Sequence, residues 1–122
     1  MLDHIGFGVS DIDLSHDFFT KALAPLGVSL VMRGPASLGL GRQGKPSLWL
    51  YSGNHVSAPL HIAISADDHA QVDAFHRAAL AAGGKDNGPP GLRPHYHPHY
   101  YAAFVIGPDG HNLEAVCHRP QG

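Results

Sequence analysis

Cysteine is almost missing from this chain: Cys117 is the one thiol among 122 residues. A single thiol excludes an internal disulfide and every paired-cysteine metal motif, and makes a reducing cytoplasm the expected compartment. Long apolar runs are missing too. None nears the roughly 20 residues that a membrane-crossing helix needs. The N-terminus opens on a strand-like segment without the basic-then-apolar pattern of a leader. Charged residues are sparse, at 15%, and nearly balanced, with a formal net charge of −2. That balance gives no reason to expect nucleic acid or an acidic membrane as a partner. With 43% hydrophobic residues the chain reads as one globular domain spanning 1–122.

What the chain does have is histidine: 11 residues, more than the 8 lysines and arginines together. Imidazole titrates near neutrality and binds metals, so histidine excess directs attention to metal or proton chemistry. The second abundance is internal similarity. A shift of 57 (61 − 4 = 57) lays His4-Ile5 on His61-Ile62, Asp11 on Asp68, Phe18 on Phe75, Ala22 on Ala79, Leu23 on Leu80 and Gly27 on Gly84. Two similar units follow one another, 1–54 and 57–118. A repeat this long indicates a duplicated module rather than a solenoid.

Residues 2–9 alternate, with Ile5, Phe7 and Val9 on one face and His4, Gly6 and Gly8 on the other. Residues 59–66 repeat the pattern: Ile62 and Ile64 oppose His61, Ala63 and Ser65. In each strand the bulky face should pack on a helix. The small-residue face should line a concavity, with the histidine on it. Helices are expected from Ser10 to about residue 26 and from 68 to 82, the second closed by Gly83-Gly84. Strands are expected near 27–33, 36–41, 46–52, 100–106 and 111–117, with a Pro-Asp-Gly turn at 108–110 and a loop over 86–99. Each unit reads βαβββ, and the fold class is α+β. Gly39-Leu40-Gly41-Arg42-Gln43-Gly44 satisfies G-x-G-x-x-G, but β-rich sequence follows it, so a hairpin is expected, not a dinucleotide site.

Two imidazoles and a carboxylate suit a borderline divalent cation and leave positions open for substrate. His4 and His61 supply the imidazoles. Glu114 supplies the carboxylate, in an otherwise apolar stretch where a buried acid needs a cationic partner or a metal. Trp49 and Tyr51 face one side of their strand, as core or as the wall of a ligand cleft. Arg93 is a candidate for holding an anionic group. The segment Pro94-His95-Tyr96-His97-Pro98-His99-Tyr100-Tyr101 is stiffened by prolines and suits a preformed wall. His97, His99 and Tyr101 are its candidates for proton transfer, and Tyr96 and Tyr100 for substrate contact. Tyr100 and Tyr101 have opposite parity, so at most one faces the concavity. His16, His55, His69, His76 and His111 read as solvated, and Cys117 as a small buried strand residue.

The duplicated plan, the two His-Ile strands and the closing Gly-Pro-Asp-Gly-His-Asn-Leu-Glu-Ala-Val stretch resemble the vicinal oxygen chelate superfamily. That superfamily includes glyoxalase I, extradiol dioxygenases, fosfomycin-resistance thiol transferases and bleomycin-binding proteins. The loop also resembles a subgroup carrying HYHP-x-YYAAFV. The resemblance implies paired modules forming a cup-shaped mixed sheet, often in a homodimer. It places the metal ligands on His4, His61 and Glu114, holding Fe, Mn, Zn or Ni. It implies a metal-dependent lyase or dioxygenase acting on a small oxygenated molecule. The alternatives are a thiol transferase and a non-catalytic protein that sequesters a planar ligand. Two departures narrow the choice. No carboxylate stands between Lys45 and Ala58 to serve as the fourth ligand of a glyoxalase isomerase. And Phe104 stands where extradiol enzymes place a tyrosine about ten residues before the glutamate.

Overall fold

A computed structural model describes residues 1–53 and 55–120. The expected module end at 54 lies outside the described residues. The first module comprises β1 (Ile5–Val9), α1 (Ile12–Leu23), a 3-10 turn (Ala24–Leu26), β2 (Ser29–Gly34), β3 (Ser37–Arg42) and β4 (Lys45–Ser52). The second comprises β5 (His61–Ser65), α2 (His69–Ala81), β6 (Lys85–Leu92), β7 (Tyr101–Ile106), a second 3-10 turn (Pro108–Gly110) and β8 (Asn112–Cys117). They form two mixed four-stranded sheets, ordered β1-β4-β3-β2 and β5-β8-β7-β6. In each sheet the opening strand pairs parallel to the last and the other pairs are antiparallel.

Both helices start on an aspartate. Asp11 accepts from the Leu14 N–H at 3.0 Å and Asp68 from the Gln71 N–H at 2.8 Å, each satisfying one orphan donor of the first turn. The first cap is therefore Asp11 rather than the expected Ser10, and Pro25 tightens the end of α1 into a 3-10 turn. The helices bury Phe18, Phe19, Ala22 and Leu23 from α1 and Val72, Phe75 and Ala79 from α2 in one shared core. Phe18 lies against the glycine backbone of the second module. A Cβ at Gly107 would sit 2.6 Å from its ring, and one at Gly84 2.9 Å. Hydrogen bonds also cross the junction. Arg42 donates from Nε to the Leu26 carbonyl at 2.8 Å and from its terminal nitrogens to Ser65.

The Gly39–Gly44 stretch is the β3–β4 hairpin, as expected, with Gln43 (φ 52°) and Gly44 (φ 76°) at its tip. The expected loop at 86–99 is in part a strand. Residues 85–92 pair with β7 at the sheet edge, and their register breaks across Pro89 and Pro90, which have no N–H to donate. That edge strand completes the second βαβββ unit. Among the described residues no helix is long and apolar enough to cross a membrane.

Candidate functional site

Strand β8 runs between β5 and β7, so its side chains are flanked on both edges. In register, Glu114 lies beside Ala63 of β5 and beside Phe104 of β7. The small Ala63 leaves room next to the carboxylate, and Phe104 shields it. Glu114 is only 1% exposed. An isolated buried carboxylate is costly, so both oxygens need donors. Oε1 lies 2.7 Å from Nε2 of His61, and Oε2 accepts the Tyr100 hydroxyl. The His61 side chain is 57% exposed, so the pair joins a buried acid to a base that solvent reaches. Burial first, then the bond to Glu114, pushes the Tyr100 hydroxyl up to about 12, so it is a neutral donor at physiological pH.

His61, Glu114, Tyr100, Tyr96 and Phe104 line one cavity of about 360 Å³. Its walls are mostly aromatic, and its polar groups converge at the carboxylate, which is the usual form of a small-molecule site. The loop that carries Tyr100 is fastened by its own backbone. Arg93 N–H donates to the Tyr100 carbonyl at 2.7 Å, and Tyr100 N–H donates to the His97 carbonyl at 3.1 Å. Arg93 itself binds the carbonyls of Pro89 and Gly91, both at 2.8 Å, and its guanidinium lies 5.5 Å from the centre of the Phe104 ring. It braces the wall instead of opening into the cavity.

The other sequence candidates lie elsewhere. His4 is exposed and bonds Asp3 at 2.8 Å, and Lys45 reaches the same carboxylate at 3.0 Å. Those two partners, the histidine first, hold the Asp3 carboxyl below its usual range. His4 and His61 do line a common cavity of about 310 Å³ between β1 and β5. Among the described residues, however, no three His, Cys, Asp or Glu side chains stand close enough to hold a metal. Tyr101 points to the other side. Its hydroxyl donates to Asp73 at 2.6 Å and its ring stacks on His69 at 3.8 Å, so it braces α2. His97 and His99 are exposed, with His99 N–H donating to Nδ1 of His97 at 3.1 Å. Trp49 and Tyr51 stack on each other in the first module at 6.4 Å and 13°.

Sequence reasoning misplaced several histidines and missed other side chains: His76, expected to be solvated, is 13% exposed and bonds Asp86 at 2.9 Å, and His69, expected likewise, stacks on Tyr101. His111, expected to be solvated, is fully buried. Its Nδ1 accepts the Leu60 N–H at 3.0 Å and its ring meets Phe7 edge-on at 4.7 Å. Phe104 was noted only as a departure, yet it forms the cavity wall. The signal for it was present: 104 and 114 are equidistant from Asp109, so a hairpin turning there must pair them. His118, whose ring meets that of Tyr100 at 5.2 Å, follows the last strand and left no pattern to read.

A sequence model of the Glyoxalase/Bleomycin resistance protein/Dioxygenase superfamily matches residues 1–115. The chain belongs to this superfamily. Among solved structures it is similar to a glyoxalase/bleomycin resistance protein from Albidiferax ferrireducens T118, at 26% identity and TM-score 0.85, covering 96% of this chain and 98% of that one. It shares the fold of a family enzyme from Burkholderia phytofirmans PsJN, at 17% identity and TM-score 0.74, covering 96% and 98%. A glyoxalase I variant from Zea mays matches at 24% identity and TM-score 0.73, with 94% of this chain on 46% of that one. No curated protein matches the chain. Members of the superfamily bind small molecules, commonly with a divalent metal and often as dimers. Within the superfamily frame the two halves can be compared directly. Gly6 pairs with Trp49 as Ala63 pairs with Glu114, so Trp49 holds in the first module the register position that Glu114 holds in the second.

Proposed function

We propose that this protein is a metal-dependent enzyme, a lyase or dioxygenase acting on a small oxygenated molecule, with His4, His61 and Glu114 as the metal ligands. The observation that carries the reading is the buried carboxylate of Glu114 meeting His61 at 2.7 Å where an aromatic cavity opens. Nitrogen and oxygen donors of this kind fit Fe, Mn, Zn or Ni. His4, which lines a cavity with His61, would be the third donor. When bound, such a cation supplies Lewis-acid activation of two neighbouring substrate oxygens.

The chain's own groups have separate tasks. Glu114 brings a buried carboxyl group to the floor of the cavity. His61 brings an imidazole nitrogen to within 2.7 Å of that carboxylate. Tyr96 and Phe104 enclose the apolar part of a ligand, and Tyr100 presents a hydroxyl beside the carboxylate. The reading includes a homodimer in the cytoplasm.

A second reading, a protein that sequesters a planar ligand, rests on a different observation. The nearly parallel rings of Trp49 and Tyr51 form a platform, and Tyr51 is 47% exposed. Elemental analysis of tag-free protein separates the two. The enzyme reading expects about one metal per chain, lost in a His4→Ala/Glu114→Ala double variant. Equal metal in both proteins, or none after reconstitution, sinks it. Binding of planar aromatics that survives the double variant and is lost in Trp49→Ala supports the second.

A further inference from the structure

The side chains around the cavity at Glu114 are chemically one-sided. Tyr96, Tyr100 and Phe104 offer aromatic rings, whose faces carry negative potential. The rings of Tyr96 and Tyr100 stand 5.1 Å apart at 66°, two walls of a corner. Phe104 and the His61 ring, 6.1 Å apart and tilted by 47°, make a second corner. The one acid is Glu114, and among the described residues no lysine or arginine lines the cavity. One of the rings already faces a cation from outside: the Arg93 guanidinium lies 5.5 Å from the Phe104 centre, held there by the Pro89 and Gly91 carbonyls. Both oxygens of Glu114 are engaged, Oε1 with His61 and Oε2 with the Tyr100 hydroxyl. A primary amine buried here would need an acceptor for each of its N–H groups. A quaternary ammonium has no N–H to satisfy. It needs only ring faces and a nearby acid, and it is attracted to a ring whose centre lies within about 6 Å.

We propose that this cavity binds an organic cation through a quaternary ammonium head, seated among Tyr96, Tyr100 and Phe104 over Glu114. The inference goes beyond the enzyme reading. It names the head group that the cavity recognises, and it stands on the cavity alone, without a metal. At about 360 Å³ the cavity is at the small end of ligand sites, which suits a compact head with a short body. The state of Tyr96 agrees. Its ring lines the cavity and is still 62% exposed, so a ligand has a ring face left to cover. The same engaged oxygens that leave no acceptor for a primary amine leave the methylated head unhindered.

The test is an NMR titration of metal-free, tag-free protein at about pH 8, above the ordinary imidazole range. Three probes are compared: choline, its uncharged isostere neohexyl alcohol, in which carbon replaces the nitrogen, and ethanolamine, its primary amine. Choline should bind at least about tenfold more tightly than either of the others. Its amide shifts should centre on Phe104 and Glu114. Glu114→Gln should bring choline and neohexyl alcohol to similar affinities. Tyr96→Leu changes an exposed ring, so the fold is not at stake, and it should weaken choline about two- to fivefold. The inference is overturned if none of the probes binds or if choline and neohexyl alcohol bind alike. It is overturned as well by a choline preference that survives both variants, or by shifts confined to the Trp49–Tyr51 stack. Ethanolamine matching choline would overturn the methylated head. The metal reading is decided by elemental analysis, so it stands or falls separately.

Discussion

In the first module the parallel pair β1–β4 sets Gly6 beside Trp49; in the second, β5–β8 sets Ala63 beside Glu114. The backbone register is the same and the chemistry is opposite. Around Trp49 the sheet is cleared for rings. A Cβ at Gly39 would lie 2.9 Å from the indole, and one at Gly6 would lie 2.7 Å from the Tyr51 ring. Around Glu114 the sheet supplies donors, His61 and Tyr100. One scaffold thus holds an aromatic platform in one half and a buried acid in the other. The modules keep their helices and their register alike, and differ where side chains meet the concave face.

The largest effect tests whether the halves are separable at all. Phe18 and Phe75 match under the 57-residue shift and are 2% and 0% exposed. Truncating either to Ala should cost about 3–5 kcal/mol, since each leaves a cavity in the shared core. Because Phe18 packs on Gly84 and Gly107 of the other module, each variant should still melt in one transition. Calorimetry showing two transitions in either variant would break the comparison into two independent domains.

A middle-sized effect comes from a place where the halves are not interchangeable. Gly8 matches Ser65, which is exposed and tolerates a side chain. A Cβ at Gly8 would sit 1.9 Å from the His55 carbonyl oxygen, because the connecting segment crosses β1 there and Ser57 N–H reaches the Gly8 carbonyl. Gly8→Ser, which imitates the second module, should therefore destabilise by about 1–3 kcal/mol, the usual cost of forced overpacking. Ser65→Gly should stay within about 1 kcal/mol, the ordinary cost of a glycine in a strand. Equal losses in denaturant titrations would mean that the connector yields easily.

Much of this arrangement was legible in the residues. The two His-Ile strands, both helices and the duplicated plan follow from alternation, helical spacing and the 57-residue repeat, while the closeness of His61 to Glu114, which rests on the parallel pairing of β5 with β8, was implied by the family resemblance. β6 was not legible, because prolines and glycines read as loop and only sheet-edge pairing makes them a strand. Side-chain partners were least legible. Parity allowed one of Tyr100 and Tyr101 to face the cavity, but only the packing of α2, through Asp73 and His69, decides that Tyr101 turns away. The carboxylate of Asp3, which His4 bonds, is shared with Lys45, 42 residues further on, and no local pattern announces that contact.

The smallest predicted effect concerns the residue that joins the halves. His111 leads into β8, and the matching position in the first module, 65 residues earlier as Trp49 is to Glu114, is Pro46, which cannot titrate. His111 Nδ1 accepts the Leu60 N–H, so that nitrogen is unprotonated in the fold. Nε2 is buried without a hydrogen-bond partner, and the ring sits against Phe7 of the other module. Burial lowers the pKa below the ordinary 6.5, while the Asp109 carboxylate pulls it back up only in part. The unfolded chain therefore binds this proton at a higher pH than the folded chain does. The contribution of His111 is present above about pH 6.5 and is lost as the pH falls toward the lowered folded value. One proton limits the slope to about 1.4 kcal/mol per pH unit. Comparing wild type with His111→Gln by denaturant titration from pH 7.5 to pH 5 isolates it. The difference in stability should narrow on acidification. A difference that stays constant with pH would show that the junction does not feel the His111 charge.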